Sequence, residues 1–379
     1  MKRIISAILI LIFAFIHIAI PLSAAQPSFD IASKSAILMD FTTGEILYDK
    51  NATEALPPAS VTKIMTLLLI MEAIDSGKLM YDDMISVSSY AASMGGSQVY
   101  LEEGESMRVD DLLKSIVIAS GNDAAVAMAE AVAGSEEFFV KMMNDRAREL
   151  GMINTTFENV TGLDDDVTSH LTSAKDIAIM SRELMKHEKI FDYSTVWMDS
   201  IRNGEFGLTN TNRLIRFYNG ATGLKTGSTG KAGFCISATA KRDDLHLIAV
   251  IMGAESRDIR NEAAKALLDY GFANYSLYKS DGGEAGEIPV KGGTCSSVMT
   301  EYDGFEVLVD HGASGQVKKT LTVNEEIKAP VKKGDVVGSV KYILNGEEIG
   351  KTEVKVSDDV PEISYLQLLG RMISCYFLK

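Results

Sequence analysis

A serine and a lysine three residues apart stand at the head of an apolar stretch with helical character. Pro57 and Pro58 fix an entry turn, and the apolar residues begin at Ile64. Ser60 and Lys63 therefore lie on one face of a helix, about one turn apart. A serine hydroxyl is a weak nucleophile until a nearby base takes its proton, and an amine at this distance can do so. The pattern predicts a buried helix whose first turn carries a nucleophile.

Two shorter motifs follow at other element boundaries. Ser120–Asn122 (Ser-Gly-Asn) comes directly after an apolar run, and Lys225–Gly227 (Lys-Thr-Gly) follows a glycine-rich turn. The Ser-x-x-Lys pattern recurs at Ser228–Lys231 and Ser276–Lys279, but no long apolar helix follows either copy. Three motifs in this order indicate one site assembled from three parts of the chain.

Residues 1–25 are predicted to be a secretory signal peptide. Lys2 and Arg3 precede the apolar run 4–20, and residues 23–25 offer a small-residue cleavage site. An uncleaved membrane anchor is the alternative interpretation. The protein is therefore expected to be exported.

The composition argues against a nucleic-acid partner, because 52 Asp and Glu against 37 Lys and Arg give a net charge of −15. The three cysteines are far apart and odd in number, so no disulfide framework is predicted. Cys235 lies in an apolar strand pattern and is expected to be a small core residue. The five histidines show no ligand spacing, and the Asp164–Asp166 run is interpreted as a solvated loop, so neither a metal nor a cofactor is expected.

The chain up to about residue 280 is predicted to be helices packed on an antiparallel sheet. The pattern predicts a hairpin across residues 42–44, the Ser60 helix, further helices at 110–119 (capped by Asp110), 122–133, 136–150 and 172–186, strands at 223–226, 233–242 and 245–252, and a closing helix at 261–270.

The composition changes at residues 279–287, which are interpreted as a glycine-rich polar linker. Beyond it, alternating segments predict strands at 305–309, 336–340 and 351–356, and Asn345-Gly346 is a hairpin signal. After Pro361 the pattern is helical and apolar on one face. The fold class is therefore α+β, with a first domain at 26–280, a small β-sandwich-like domain at 285–360 and a C-terminal amphipathic helix at 361–379.

With the three motifs in place, the chain resembles the low-molecular-mass penicillin-binding proteins that are D-alanyl-D-alanine carboxypeptidases. The resemblance covers nearly all of the mature chain and extends beyond the motifs to Ser120–Ala124, Asn159–Asp164, Ser173–Asp176 and Gly223–Gly227. It implies a catalytic domain of the β-lactamase and transpeptidase type. It also implies peptidoglycan stem peptides ending in D-Ala-D-Ala as substrates, β-lactams as covalent inhibitors, and a place at the outer face of the cytoplasmic membrane.

The resemblance gives each motif residue a role. Ser60 resembles the acyl-accepting nucleophile, Lys63 its general base, and Ser120 the hydroxyl that relays a proton to the leaving D-Ala. Asn122 resembles the side chain that holds the substrate amide. A lysine in water titrates near pH ~10.4, so Lys63 must be desolvated or face another cation, for which Lys225 is a candidate.

Further contacts are expected along the strand of the third motif. Lys225 and Thr226 lie on the strand that is expected to pair with the substrate, and Gly227 is expected to let the substrate backbone approach closely. By similarity, the backbone N–H groups of Ser60 and Ser228 form the oxyanion hole.

The terminal carboxylate of the substrate needs a cation. Arg260 stands where the family places one, and Arg257 is the alternative; the plain interpretation of either is a surface residue at a helix start. Asp176 matches a family position or caps its helix. Thr161 and Ser228 replace histidines that many relatives carry, which bears on hydrolysis rate and substrate preference.

Two other functions remain open at this point. A β-lactamase shares Ser60, Lys63 and the strand motif. Class A enzymes add a loop glutamate, and the candidates for it in the comparable region are Glu158 and the Asp164–Asp166 run, without that family's loop pattern. A penicillin-recognising sensor without turnover is the second alternative. Residues 362–379 are expected to bind the membrane surface without spanning it, with packing on the β domain as the alternative.

Overall fold

The computed structural model describes residues 30–163 and 168–377. The predicted signal peptide and the Asp164–Asp166 run lie outside the described residues.

The first domain is a five-stranded antiparallel sheet with helices on both faces, in the strand order β2-β1-β9-β8-β7. Its strands are β1 (Ser35–Asp40), β2 (Ile46–Lys50), β7 (Ala221–Thr229), β8 (Gly233–Arg242) and β9 (Leu245–Ala254). Two separate antiparallel pairs join β3 (Met84–Ser86) to β4 (Ser106–Arg108) and β5 (Met198–Ile201) to β6 (Phe206–Thr209). The helices are α1 (Lys63–Asp75), α2 (Ser89–Ala92), α3 (Val109–Val117), α4 (Asn122–Ala133), α5 (Glu136–Glu149), α6 (Ala174–Met185), α7 (Phe191–Ser194), α8 (Leu214–Phe217) and α9 (Arg257–Asn274).

Both faces of the sheet are buried, which explains the nearly continuous apolar runs of its strands. Along β1, Ile37 and Met39 join the core that contains α1, α4 and α6, whereas Ala36 and Leu38 join the core under α9. Alternate residues of a strand point to opposite faces, so a sheet covered on both sides needs apolar residues at every position.

The second domain is all-β. Its strands are β10 (Tyr275–Ser280), β11 (Gly283–Lys291), β12 (Ser297–Tyr302), β13 (Phe305–Asp310), β14 (Lys318–Val323), β15 (Ile327–Lys328), β16 (Val336–Leu344) and β17 (Glu347–Val356). Six of them form a sheet in the order β14-β16-β17-β12-β11-β15, and β10 pairs with β13. Asn345 and Gly346 have φ of 53° and 87° and connect β16 to β17, which confirms the predicted hairpin turn.

Three local predictions are wrong. The proposed linker at 279–287 is mostly strand, because β10 and β11 are separated by two residues and pair with β13 and β12. Asp110 does not cap its helix, which already begins at Val109. Asp176 does not cap its helix either: Ser173 does, while the Asp176 carboxylate accepts hydrogen bonds from the Asn154 N–H and the Thr155 hydroxyl.

The C-terminal helix α10 (Tyr365–Phe377) presents six apolar side chains to solvent. The exposed set comprises Tyr365, Leu366, Leu368, Leu369, Met372 and Ile373. Polar contacts hold this segment to the β domain: before the helix the Ile363 N–H donates to Gly292 O, and within it the Arg371 guanidinium donates to Thr294 O. None of the described helices has the length and apolarity that crossing a membrane requires.

Candidate active site

The three motifs meet at one cleft of about 720 Å³ in the first domain. A 3₁₀ turn, Ala59–Thr62, brings Ser60 to the cleft just before α1; the connection between α3 and α4 brings Ser120; and the edge strand β7 forms one wall. Of the nine predicted site residues, six line the cleft and three lie buried beside it. The lining residues are Ser60, Ser120, Thr226, Gly227, Ser228 and Arg260, and the buried ones are Lys63, Asn122 and Lys225.

Close backbone contacts shape the turn that carries the nucleophile. Ala59 has a φ of 49°, and the Thr62 hydroxyl donates to Ala59 O at 2.8 Å. A Cβ on Gly162 would lie 1.9 Å from Ala59 O, and one on Gly227 would lie 2.7 Å from Ser60 N. Both positions therefore require glycine. A Cβ on Gly227 would also lie 2.9 Å from Val61 N, so the turn gives a reason for glycine here besides the expected approach of the substrate backbone.

Lys63 has three oxygen neighbours that define its role. Its Nζ lies 3.1 Å from Ser60 Oγ, 2.5 Å from Asn122 Oδ1 and 2.9 Å from Thr161 O. The Asn122 amide is oriented by its Nδ2, which donates to Gly95 O at 2.6 Å. Asn122 Oδ1 and Thr161 O can only accept, so a neutral amine donates its two N–H groups to them and turns its lone pair to the Ser60 hydroxyl.

The surroundings of Lys63 favour that neutral amine. The side chain is fully buried, and desolvation holds its pKa well below the ordinary value; the nearby charge of Lys225 lowers the pKa further, while Asp123 opposes the shift. Burial removes water from the ammonium ion, and a second cation repels it. A lysine base next to a serine is therefore available near neutral pH.

Lys225 reaches the second serine. Its Nζ donates to Ser120 Oγ at 2.9 Å and to Thr226 O at 3.0 Å. Desolvation, followed by repulsion from Arg260, lowers the pKa of Lys225 to about 7. Ser120 has a φ of 64°, a left-handed conformation that is uncommon outside glycine and typical of constrained functional positions. Ser120 and its lysine are thus placed to deliver a proton into the cleft.

Two candidate cations for a carboxylate differ in burial. Arg260 is buried to 3% exposure, and its Nε and Nη2 donate to Asn261 Oδ1 at 3.1 and 2.9 Å. Desolvation and repulsion from Arg257 lower the pKa of Arg260 to about 10. Arg257 also lines the cleft but is exposed. The plain interpretation of Arg260 as a surface residue is therefore wrong.

The roles of two groups that support the motifs were not predicted from the sequence. Thr161 contributes its carbonyl to Lys63, so the residue type at this departure from the family does not affect the contact. The buried Asp123 carboxylate accepts hydrogen bonds from the N–H groups of Val99, Leu101 and Ala124, which anchors the segment carrying Ser97, another cleft residue. Both residues lie in stretches that resemble the family, 159–164 and 120–124. That resemblance could have pointed to them.

The two lysines are expected to change the acylation rate in opposite directions as the pH rises. Lys63 must be neutral to accept a proton, so the rate rises with pH through its pKa; Lys225 acts protonated, so the rate falls above about pH 7. Rates of acylation by a penicillin, measured from about pH 5 to about pH 9, should give a bell-shaped profile. In Lys225→Arg the falling limb should move to higher pH, because arginine stays protonated. An unchanged falling limb in this variant would exclude Lys225 as its origin.

The lysine beside the nucleophile defines the class of protein. Serine nucleophiles need an adjacent base, and here that base is a buried lysine at the start of α1, with Ser-Gly-Asn and Lys-Thr-Gly motifs facing it. Helices on both faces of a five-stranded antiparallel sheet carry this arrangement. These features together define the penicillin-recognising serine enzymes.

Residues 21–256 match the D-alanyl-D-alanine carboxypeptidase family, and residues 272–362 match the penicillin-binding protein 5, C-terminal domain. The chain belongs to the D-alanyl-D-alanine carboxypeptidase family and is a serine-type hydrolase. The expected family and α+β fold with a C-terminal all-β domain are thereby confirmed.

Individual relatives match along almost the whole chain. It is 42% identical to the D-alanyl-D-alanine carboxypeptidase DacF of Bacillus subtilis, over 98% of each chain. It is 34% identical to the D-alanyl-D-alanine carboxypeptidase DacC of Escherichia coli, over 93% of this chain and 89% of the relative. Among solved structures, penicillin-binding protein 5 of Haemophilus influenzae superposes with a TM-score of 0.76 at 30% identity, over 89% of this chain and all of that one.

Proposed function

We propose that the protein removes the terminal D-Ala from peptidoglycan stem pentapeptides through an acyl-enzyme on Ser60, and that β-lactams acylate the same hydroxyl. The contact between Ser60 Oγ and the buried Lys63 amine carries the proposal, because it supplies an activated nucleophile inside a cleft. The chain's similarity to named D-alanyl-D-alanine carboxypeptidases supports the substrate.

The first half-reaction uses both lysines. Lys63 takes the Ser60 proton as the oxygen attacks the carbonyl of the penultimate D-Ala. Ser120, hydrogen-bonded to the Lys225 ammonium, passes a proton to the departing amine as the C–N bond breaks. The backbone N–H groups of Ser60 and Ser228 stabilise the oxyanion; the close approach of Gly227 to Ser60 N supports this pairing. Water then hydrolyses the ester.

The substrate is held along β7. As an edge strand, β7 has one backbone edge available for pairing with an extended peptide, and Lys225 and Thr226 lie on it. Asn122 holds the substrate amide, for which its Nδ2 exchanges the hydrogen bond to Gly95 O for one to the substrate. Arg260 binds the terminal carboxylate in preference to Arg257, because a desolvated guanidinium at the cleft wall binds an anion more strongly than a solvated one.

A β-lactamase of the class A type is not favoured by the position of Glu158. Its carboxylate accepts the Thr168 N–H, and the residue lines a different depression with Tyr90 and Glu130. Incubation with a pentapeptide and with penicillin, followed by assay of free D-Ala and mass spectrometry, tests the proposal. Steady-state D-Ala release with a persistent penicillin adduct supports it. Rapid penicillin turnover without D-Ala release would indicate a β-lactamase. A penicillin adduct without turnover of either compound would indicate a sensor.

We also propose that residues 362–379 attach the protein to the outer face of the cytoplasmic membrane. Six apolar side chains between residues 365 and 373 are exposed rather than packed on the β domain; Leu366, for example, is 78% exposed. An amphipathic helix of this kind binds in the membrane interface.

Truncation after Pro361 should release the mature protein from the membrane, because it removes the exposed apolar face while leaving every residue of the cleft in place. Fractionation of cells that express each form measures the change. The matched control replaces the polar residue Gln367 by glutamate and should stay bound. Equal sedimentation of the truncated and intact proteins would contradict the anchor.

A further inference from the structure

Three arginines gather on one side of the cleft. Arg213 and Arg257 line the cleft together with Arg260, and both lower the pKa of Arg260 by repulsion. Within the described residues, 30–163 and 168–377, no carboxylate lies within salt-bridge distance of any of the three. The chain as a whole has a net charge of −15, so acidic groups are plentiful elsewhere. Asp258 attracts Arg260 only at longer range, so repulsion from the two neighbouring arginines outweighs it. Like charges gathered at one place without an ion pair indicate a site for anions.

An aromatic surface lies beside these arginines. Trp197 and Phe217 line the same cleft with ring centroids 6.2 Å apart, and Phe217 is 65% exposed. The Arg216 guanidinium stands over both rings, 5.7 Å from Trp197 and 5.6 Å from Phe217. Trp197 is the chain's sole tryptophan. Partly exposed aromatic and arginine side chains within a cleft are typical of ligand contacts.

The position of Thr211 shows on which side of the nucleophile this surface lies. The Thr226 hydroxyl donates to Thr211 Oγ1 at 2.9 Å, so the segment that leads to Arg213 runs beside Thr226. Arg260, which binds the terminal carboxylate in the proposed function, donates to Cys235 O on β8, and Cys235 pairs with Gly227 next to Thr226. The surface therefore begins beyond the leaving D-Ala. D-Ala offers one carboxylate and one methyl group, which leaves the other arginines and both aromatic rings unused.

We propose that Arg213, Trp197 and Phe217 form a leaving-group subsite for a second carboxylate, beyond the one held at Arg260. This inference rests on the proposed function. The substrates would be peptides in which the penultimate D-Ala is joined to an acidic D-amino acid or to the amine of a second, acidic peptide. Bond changes are unaltered: the Ser60 Oγ–acyl bond forms, the C–N bond breaks, the amine departs with a proton, and water cleaves the ester.

Three synthetic peptides with the same acyl part test the subsite. They end in D-Ala-D-Ala, D-Ala-D-Glu and D-Ala-D-Gln, and the last two differ only in a charge. The wild-type kcat/KM for the D-Glu peptide should exceed that for the D-Gln peptide by about tenfold, the effect of one charge-assisted hydrogen bond. In Arg213→Gln this ratio should fall to about one. Arg148→Gln, an equal charge change at an exposed position of α5, should keep the wild-type ratio.

The outcomes separate this inference from the proposed function. A ratio near one in the wild type, with D-Ala still released from the first peptide, would overturn the subsite alone; failure to cleave any of the three would overturn the proposed function. A peptide dimer joined through a side-chain amine provides a further arm: cleavage that also depends on Arg213 would assign the second carboxylate to a neighbouring peptide, whereas dependence confined to the D-Glu peptide would assign it to a free acidic terminus.

Tryptophan fluorescence gives a readout that does not need turnover. In Ser60→Ala, titration with the D-Glu peptide should change the emission of Trp197 in a saturable manner, and Arg213→Gln in the same background should weaken that binding about tenfold. Emission that does not respond to the peptide would contradict the placement of Trp197 in the subsite.

Discussion

Replacing Ser60 by alanine is expected to abolish both the penicillin adduct and the release of D-Ala. Of the three oxygens that contact the Lys63 amine, the Ser60 hydroxyl is the one whose residue lines the cleft, and no other cleft serine has a described contact with that amine. Removal of a nucleophile of this kind lowers kcat by about 10⁴-fold or more. The measurement is intact-protein mass spectrometry after incubation with penicillin, together with assay of free D-Ala.

Ser97 provides the matched control for this prediction. It lines the same cleft, but its described contact is through its backbone carbonyl, which accepts the Asn122 N–H at 2.7 Å. Ser97→Ala keeps that carbonyl and should still form the adduct. An adduct of full mass in Ser60→Ala would show that another residue is the nucleophile.

The site could be predicted from the sequence where its chemistry depends on side-chain type at fixed short spacing. Ser60 and Lys63 are such a pair, because a helical turn brings residues three apart together wherever the helix lies. The edges of β8 and β9 were also predictable within two residues, since apolar runs bounded by polar turns mark buried strands. Cys235 lies in β8 and is fully buried, as its strand context predicted.

Contacts made by the backbone could not be predicted in the same way. Thr161 acts through its carbonyl, a group that every residue carries. The start of α3 was misjudged for a similar reason: the N–H groups of Val109 and Asp110 donate to Asp83 O and Tyr81 O, so backbone carbonyls distant in sequence replace a side-chain cap. The arginine and aromatic cluster was missed because Trp197, Arg213 and Arg257 come from three separate segments.

Replacing Lys63 by arginine should lower the rate of acylation by about 10³-fold although the positive charge is kept. The three oxygen neighbours of Lys63 suit a neutral amine with two donors and one lone pair. Arginine does not lose its proton in proteins, so it cannot accept one from Ser60. The measurement is the second-order rate constant for acylation by penicillin, with thermal unfolding to establish that the variant is folded.

Two further variants distinguish the role of Lys63 as a base from its role as a positive charge. Lys63→Met removes the amine at similar length and should be as inactive as Lys63→Arg, even if the larger guanidinium disturbs the buried site. Lys225→Arg should lose less activity near neutral pH, because Lys225 acts as a protonated donor to Ser120, a role that a guanidinium can fill. Near-normal acylation by Lys63→Arg would mean that Lys63 supplies only charge, and the proton of Ser60 would then have to leave by another route.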